Sequence, residues 1–151
     1  MTEKDTSRIY QQVVIAHNRD PHNYGPLTEA THQARGYNPV CGDAVTVYLN
    51  LCEGTVTAAS FEGDCCAVCT CSASLLTDRL KGMDAPAFEE LMAEFERLVN
   101  HQETAVIDEP HLGDLNVFEG IREFPSRVPC ATLPWHTARA AWAGMPQVST
   151  E

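Results

Sequence analysis

The chain has 151 residues, of which 44% are apolar and 21% charged, and its formal net charge is −11 at pH 7. A chain of this length typically forms one domain around one core, so we predict a single domain over residues 1–151. The acidic charge argues against nucleic acid or an anionic membrane surface as a partner, because both attract clustered Lys and Arg. No apolar run approaches the roughly 20 residues that span a bilayer.

The cysteines are the unusual part of the composition. There are seven of them, an odd number, and four lie within residues 65–71. Neither property fits the framework of a secreted disulfide protein, and in a reducing compartment clustered cysteines indicate metal or sulfur chemistry. The N-terminal sequence MTEKDTSRIY has no apolar stretch and no small-residue cleavage site. We therefore expect no secretory signal and a cytoplasmic location.

Hydrophobic periodicity predicts one helix, then strands, then further helices. Helical spacing indicates a helix from Ser7 to Asn18, and alternating apolar residues indicate strands over 44–52 and 55–61, with a weaker edge strand over 31–37. Further along the chain we predict a helix over 66–80 capped by Asp64 and a second helix after Asp84. A loop over 101–116, a short helix over 115–124 and a last helix over 131–143 follow. The two ends, residues 1–6 and 146–151, are predicted to be disordered tails.

Strands and helices that are segregated along the chain define the α+β class. We predict a small three-stranded antiparallel sheet with helices packed on one face. Trp135 and Trp142 are seven residues apart on one face of the last predicted helix, and this spacing assigns both to the core.

Three cysteines and one aspartate stand at predicted strand or helix ends, where a fold can direct side chains to one point. Cys41 and Asp43 begin the hairpin, Cys66 begins a helix and Cys130 begins the last helix. Thiolates and carboxylates are zinc ligands, and thiolates also hold iron–sulfur clusters. The residues alone do not favour such a site over the alternative, in which each cysteine is simply a small buried apolar side chain.

Such a ligand set has specific chemical consequences. A carboxylate binds zinc more weakly than a thiolate does, so a site with one Asp exchanges its ligands more readily than a closed Cys₄ site. A metal keeps its thiols deprotonated, and a metal-bound thiolate that is released is a nucleophile.

Four stretches of the chain resemble the motifs of the NifU/IscU family of iron–sulfur cluster assembly proteins. One is similar to the N-terminal loop of that family, and the others surround the cysteines in the family's order. They are HNYG at 22–25, YNPVCGD at 37–43, FEGDCC followed by SAS within 61–74, and RVPCATLPW at 127–135. The resemblance covers about residues 7–143 and implies a SufE/NifU-like fold.

Within this family the chain resembles the SufU branch. IscU-type proteins carry a histidine immediately before the third cysteine, and this chain has Pro129 there. Residues 109–124 are similar to the insertion that precedes the third cysteine in SufU-type proteins.

The resemblance implies a role for each site residue. Cys41, Asp43, Cys66 and Cys130 would bind Zn²⁺, and Cys41 would accept persulfide sulfur from a cysteine desulfurase of the SufS type. Arg127 would lie near the site and favour thiolate or persulfide anions. The sulfur would then pass to a downstream assembly scaffold or an apo-acceptor.

Three further cysteines stand where the family usually has small residues. Cys65 and Cys69 are four residues apart on either side of the predicted ligand Cys66, and they are either auxiliary thiols that relay sulfur or adjust the metal site, or packing residues. For the third, Cys71, and also for Cys52, packing is favoured, because cysteine is so often simply buried.

We therefore expect a zinc-dependent sulfurtransferase, a sulfur carrier that acts with a cysteine desulfurase in iron–sulfur cluster assembly. One alternative is a scaffold that assembles a 2Fe–2S cluster and transfers it, with iron in place of zinc. Another is a non-catalytic interaction domain stabilised by zinc.

Overall fold

The computed structural model describes residues 3–100 and 110–149, and within them the chain forms four α-helices and four strands. The α+β class is confirmed. Residues 101–109 of the predicted loop and the outermost residues of both predicted tails lie outside the described residues. The elements are α1 (Glu3–Arg19), β1 (His32–Asn38), β2 (Asp43–Cys52), β3 (Thr55–Asp64), α2 (Ala67–Leu80), α3 (Ala85–Asn100), 3₁₀ segments at Pro110–Glu123 and Pro125–Arg127, α4 (Val128–Trp142) and β4 (Gln147–Ser149).

The strands lie in the order β3-β2-β1-β4, and β2 is antiparallel to both of its neighbours. Along β2 the side chains of Val45, Val47 and Leu49 are buried on one face, so the predicted alternation is confirmed. A bulge between Asn50 and Leu51 ends it. Leu51 was expected on the buried face and is only partly buried, because the bulge shifts the register there.

Strand β4 corrects the predicted sheet. We predicted three antiparallel strands and a disordered tail over 146–151, but Gln147–Ser149 pairs parallel with β1 and makes the sheet four-stranded and mixed. This pairing satisfies backbone groups that β1 would otherwise expose at an edge. The N–H of Arg35 also donates to the carbonyl of Pro146 over 2.9 Å. Gly144, with φ of 77°, ends α4 and allows the chain to turn back toward β1.

The helices pack on one face of the sheet. Helix α4 lies against β1 and β2, and α2 lies beside α4. Trp135 is fully buried and stacks on Phe95 with 4.3 Å between ring centroids. Phe88 stacks on both Trp135 and Trp142, which confirms the core role predicted for the two tryptophans. No helix within the described residues is both long and apolar enough to cross a bilayer.

The cap predicted for α2 is wrong and α4 starts earlier than predicted, and both differences lie at the candidate site. Asp64 is the last residue of β3 rather than a helix cap, and Cys66 is the N-cap of α2. Helix α4 begins at Val128, so that Cys130 lies in its first turn. Pro129 accounts for the early start, since proline fits the first helical turn without loss of a hydrogen bond.

Two further segments are more ordered than predicted. Helix α1 begins at Glu3, within the expected N-terminal tail. The segment from Pro110 onward was expected to be a loop as far as residue 116, but it forms a 3₁₀ segment interrupted at Gly113, which has φ of 53° and ψ of −125°. This segment packs against α1 and α3, and that tertiary contact overrides its weak helical periodicity.

Candidate metal centre

The turn between β1 and β2 places Cys41 and Asp43 in different environments. The side-chain oxygen of Asn38 accepts the N–H of Val40 over 3.0 Å, and its carbonyl accepts the N–H of Gly42 over 2.8 Å. Gly42 has φ of 78°, a left-handed conformation that glycine adopts without strain. The turn leaves Cys41 exposed and buries Asp43 to 4% exposure at the start of β2.

The end of β3 brings the start of α2 to the same place. Across the two strands Ala44 pairs with Asp64 and Val45 with Gly63. A β-carbon at Gly63, where φ is 155°, would lie 2.3 Å from the carbonyl oxygen of Ala44. Only glycine therefore permits this close approach. The chain leaves β3 beside the start of β2 and enters α2 at Cys66.

Asp43 is hydrogen-bonded to Cys66 through both of its carboxylate oxygens. Oδ1 accepts the backbone N–H of Cys66 over 2.8 Å, and Oδ2 accepts from the Cys66 thiol over 3.3 Å. The side chain of Cys66 makes no capping hydrogen bond of its own. The carboxylate from β2 thus satisfies the N–H of the N-cap residue, as a glutamate does in a capping box, and it fixes β2 to α2.

Cys130 reaches the site from α4. It is 2% exposed, and its Sγ lies 3.8 Å from the Sγ of Cys41. The buried Ser72 of α2 holds α4 in place, because its hydroxyl donates to the Ala131 carbonyl over 2.5 Å and accepts from the Trp135 indole N–H over 3.1 Å. This link is adjacent to Cys130 and fixes the thiol relative to α2.

Three of the four predicted metal ligands lie close together, since one ligand atom from each of Cys41, Asp43 and Cys130 lies within 4.8 Å of the other two. The fourth, Cys66, lies outside this group of three but is hydrogen-bonded to Asp43. Tetrahedral zinc with Zn–S bonds of ~2.3 Å separates its sulfur ligands by roughly 3.8 Å. The Cys41 and Cys130 sulfurs are 3.8 Å apart. The separation of these two sulfurs and the nearby Asp43 carboxylate therefore suit a zinc ion, and Cys66, bonded to Asp43, is the candidate for the fourth ligand.

The three thiols differ in acidity. The hydrogen bond from Cys130 lowers the pKa of Cys66 to about 7, against the opposing effect of burial. The same hydrogen bond raises the pKa of Cys130, and burial raises the pKa of Cys41. Cys66 is therefore the first of the three to ionise. A divalent cation that binds all three sulfurs must displace the remaining protons.

Arg127 lies close to the site in sequence but does not contact it. It is exposed and directly precedes α4. Among the residues that the structure describes, no hydrogen bond or ion pair joins its guanidinium to the four predicted ligands. Its predicted electrostatic role therefore stays a prediction.

Tyr10 is a neighbour of the site that the sequence did not indicate. Its ring packs between Phe118 and Phe124, and its hydroxyl is buried without a hydrogen-bond partner among the described residues. Burial raises the pKa of this hydroxyl most, Cys71 and then Cys66 raise it further, and the charge of Arg127 opposes the rise. Periodicity shows only that Tyr10 faces inward, so its proximity to the thiols becomes visible only in the structure.

The other four cysteines occupy different environments. Cys71 is buried, as its predicted packing role requires, but Cys52 is exposed at the end of β2 and the packing prediction for it is wrong. Cys69 is fully buried, and Cys65 is partly buried. The Cys65 sulfur lies 3.4 Å from the Thr70 hydroxyl, and a hydrogen bond from Cys69 lowers the pKa of Cys65.

The molecule is thus a small α+β domain in which the β1–β2 turn and the first turn of α4 place two thiols and a carboxylate together beside the start of α2, an arrangement typical of metal-binding and thiol proteins. The chain belongs to the family of NifU-like N-terminal domains, whose model matches residues 9–131. The family predicted from the cysteine motifs is confirmed.

Its relatives include a zinc-dependent sulfurtransferase and iron–sulfur cluster assembly scaffold proteins. Over 127 residues the chain is 33% identical to the zinc-dependent sulfurtransferase SufU of Bacillus subtilis strain 168, covering 84% of each. Over 135 residues it is 30% identical to the iron–sulfur cluster assembly scaffold protein IscU of Streptococcus pyogenes serotype M1, covering 89% of this chain and 83% of that one. SufU- and IscU-named relatives thus match at similar identity.

A solved structure shows the same fold. It is described as an iron–sulfur cluster assembly scaffold protein for the SUF system from Fervidobacterium islandicum AW-1. It superposes with a TM-score of 0.77 at 27% identity and covers 89% of this chain and 97% of that chain.

Proposed function

We propose that this protein is a zinc-dependent sulfurtransferase of iron–sulfur cluster assembly that accepts sulfur from a cysteine desulfurase of the SufS type. Cys41, Asp43, Cys66 and Cys130 hold the zinc, and Cys41 is the acceptor. One observation carries the proposal: Cys41 is exposed, whereas Asp43 and Cys130 are buried. The site thus presents the Cys41 sulfur most openly to a partner, while Cys66 is only partly buried and the other two ligands are buried.

The transfer is a thiol–persulfide exchange. The Cys41 thiolate attacks the terminal sulfur of the persulfide on the desulfurase, a new S–S bond forms at Cys41, and the desulfurase cysteine leaves as a thiolate. Zinc, when bound, supplies the positive charge that keeps the thiols deprotonated. Arg127 adds a positive charge beside α4 that favours the persulfide anion.

The surroundings of Cys41 suit a protein partner. Val40 is 90% exposed and Tyr37 is 45% exposed, so apolar side chains border the acceptor on the β1–β2 turn. Exposed aromatic and aliphatic side chains of this kind anchor protein–protein contacts. We place this exchange in the cytosol, where free thiols such as the seven of this chain stay reduced.

The second candidate function is a scaffold that builds a 2Fe–2S cluster and hands it on. It is supported by the IscU-named relatives and by the suitability of the three thiolates as cluster ligands. Asp43 favours the transferase, since a carboxylate is a usual zinc ligand and thiolates are the usual ligands of clusters.

The metal content of protein purified without air separates the two functions. We expect stoichiometric zinc and no acid-labile sulfide in the wild-type protein and in Cys52→Ser, which leaves the site intact. Cys130→Ser should lose zinc because it removes a buried ligand. Iron together with acid-labile sulfide in the wild-type protein would contradict the proposed transferase and support the scaffold.

A further inference from the structure

The loop between α1 and β1 contacts both β3 and α2, the two elements that meet beside Cys66. We call residues 22–25 of this loop the strap. The strap forms a parallel bridge on the outer edge of β3. The N–H of Phe61 donates to the carbonyl of Asn23 over 3.1 Å, and the N–H of Gly25 donates to the carbonyl of Phe61 over 2.8 Å. The strap therefore satisfies backbone groups that β3 would otherwise expose at an edge.

Tyr24 extends this attachment toward the metal centre. Its ring packs edge-on against Phe61 with 5.3 Å between ring centroids, and its hydroxyl donates to the carbonyl of Gly63 over 3.3 Å. On its other side, Gly63 lies so close to Ala44 of β2 that a β-carbon would not fit. The end of β3 is thus held from both sides just before the chain reaches Cys66.

The strap is also attached to the second half of α2, and Asp78 is the main anchor. The Nδ1 of His22 lies 2.6 Å from one carboxylate oxygen of Asp78, and the side-chain amide of Asn23 donates to the other over 3.0 Å. The backbone N–H of His22 donates to the hydroxyl of the buried Ser74 over 2.8 Å. The strap therefore fastens α2 to the end of β3.

His17 of α1 completes the hydrogen bonding of Ser74. Its Nδ1 lies 2.7 Å from the Ser74 hydroxyl. Burial lowers the pKa of His17 most, and the nearby His22 lowers it further. Asp78 and Asp114 oppose the decrease. A neutral imidazole accepts the Ser74 hydroxyl at Nδ1, while the hydroxyl oxygen accepts the N–H of His22.

The position of Asp78 is unfavourable for helix α2 by itself. Asp78 stands in the last turn, where the helix dipole disfavours negative charge. Its side chain is 41% exposed, and alanine has a higher helix propensity than aspartate at such a site. The contacts with His22 and Asn23 are therefore what this carboxylate contributes.

We propose that the strap and Asp78 position Cys66 against Asp43 and thereby slow the release of metal from the centre. The proposal rests on the proposed function for its zinc. The Asp43 carboxylate reaches the N–H of Cys66 over 2.8 Å only while β2, the end of β3 and the start of α2 keep their relative positions. Groups that do not touch a metal commonly orient its ligands in this way.

The test follows hydrogen exchange of two backbone N–H groups by NMR in the full-length protein, as purified and after zinc is removed. The N–H of Phe61 reports attachment of the strap, and the N–H of Cys66 reports its contact with Asp43. We expect Asp78→Ala to speed both exchange rates about tenfold, because the local opening no longer breaks the hydrogen bonds to the strap. Asp78→Asn should exchange like the wild-type protein, since a side-chain amide can still serve both partners.

Zinc release is the second readout. With one equivalent of zinc bound, Asp78→Ala should pass it to a chromogenic chelator roughly tenfold faster than the wild-type protein and Asp78→Asn do. The control matched for stability is Val99→Ala, which truncates a buried side chain of α3. It lowers the free energy of unfolding without touching the strap, and it should leave the Cys66 exchange rate and zinc release unchanged.

Unchanged exchange at Cys66 in Asp78→Ala overturns the proposal, whether or not Phe61 exchanges faster. Equal acceleration at Cys66 in Val99→Ala also overturns it, because the effect is then a loss of overall stability. If far-UV circular dichroism shows that Asp78→Ala is unfolded, Tyr24→Phe replaces it. This variant removes only the hydroxyl bonded to Gly63 and should speed exchange at Cys66 several-fold.

The outcome is separate from that of the proposed function. The exchange rate of the Cys66 N–H is also measured without zinc, so it tests the strap whatever metal the purified protein contains. A wild-type protein without zinc rejects only the transferase. Unchanged exchange at Cys66 in a wild-type protein and an Asp78→Ala variant that both hold zinc rejects only the strap.

Discussion

Cys41→Ser is expected to abolish stimulation of the cognate cysteine desulfurase while leaving the fold intact. The hydroxyl of serine is a poor nucleophile toward a persulfide, so the rate should fall to that of the desulfurase alone. Cys41 is exposed on a turn, and substitutions at exposed positions usually change the free energy of unfolding by no more than about 0.5 kcal/mol. The measurements are cysteine-dependent turnover of the desulfurase and denaturant unfolding of the zinc-free proteins.

Two other serine variants show whether the loss of stimulation is specific to Cys41. Cys52→Ser, also exposed, should retain full stimulation and full stability. Cys130→Ser should lose stimulation together with zinc, because Cys130 is buried within the site. If Cys41→Ser retains stimulation with zinc bound, Cys41 is not the acceptor. If Cys41→Ser and Cys130→Ser lose stability equally and no variant affects the desulfurase, the protein is an interaction domain stabilised by zinc.

Asp43→Ala is expected to lose zinc and to destabilise the zinc-free fold. The carboxylate is 4% exposed and accepts the backbone N–H of Cys66 over 2.8 Å. Its removal leaves that partly buried donor without its carboxylate acceptor, at a cost of about 1 kcal/mol. Zinc content and the free energy of unfolding report the two effects separately.

Asp43→Asn is the matched control for Asp43→Ala. Its side-chain oxygen still accepts the N–H of Cys66, so most of the lost stability should return, but the neutral amide should not restore zinc binding. Equal zinc content in both variants and the wild-type protein would remove Asp43 from the ligand set. A reconstituted iron–sulfur cluster that lasts longer in Asp43→Ala than in the wild-type protein would favour the scaffold.

The sequence predicts the fold where local signals are strong. The alternation in β2 and the aromatic positions of α3 and α4 yield the strand and the core correctly, because each segment repeats its pattern over several residues. Strand β4 could not be predicted, since it has only the three residues Gln147–Ser149. It forms because β1 presents an open edge, which is a tertiary property.

The sequence also names the residues of the candidate site but not their environment. The motifs locate Cys41, Asp43, Cys66 and Cys130, and the structure places Cys41, Asp43 and Cys130 close together with Cys66 bonded to Asp43. Burial is what separates the exposed Cys41 from the buried Asp43 and Cys130, and it depends on a left-handed glycine, Gly42, and on contacts between distant strands. The same reason explains why Cys52 was assigned to packing although it is exposed.

The surroundings of Cys65 and Cys69 show a further limit. Their spacing predicts that they lie on one side of a helix, but α2 starts after Cys65 and the pair spans the helix boundary. Only the structure shows that Cys65 is partly exposed and Cys69 fully buried.

The central claim is that sulfur is transferred to Cys41. The most direct measurement is mass-spectrometric mapping of persulfides after a single turnover of the desulfurase with cysteine and the zinc-loaded wild-type protein. We expect one extra sulfur atom on the peptide that contains Cys41. Sulfur that stays on the desulfurase, or that appears on a different cysteine of this chain, would contradict it.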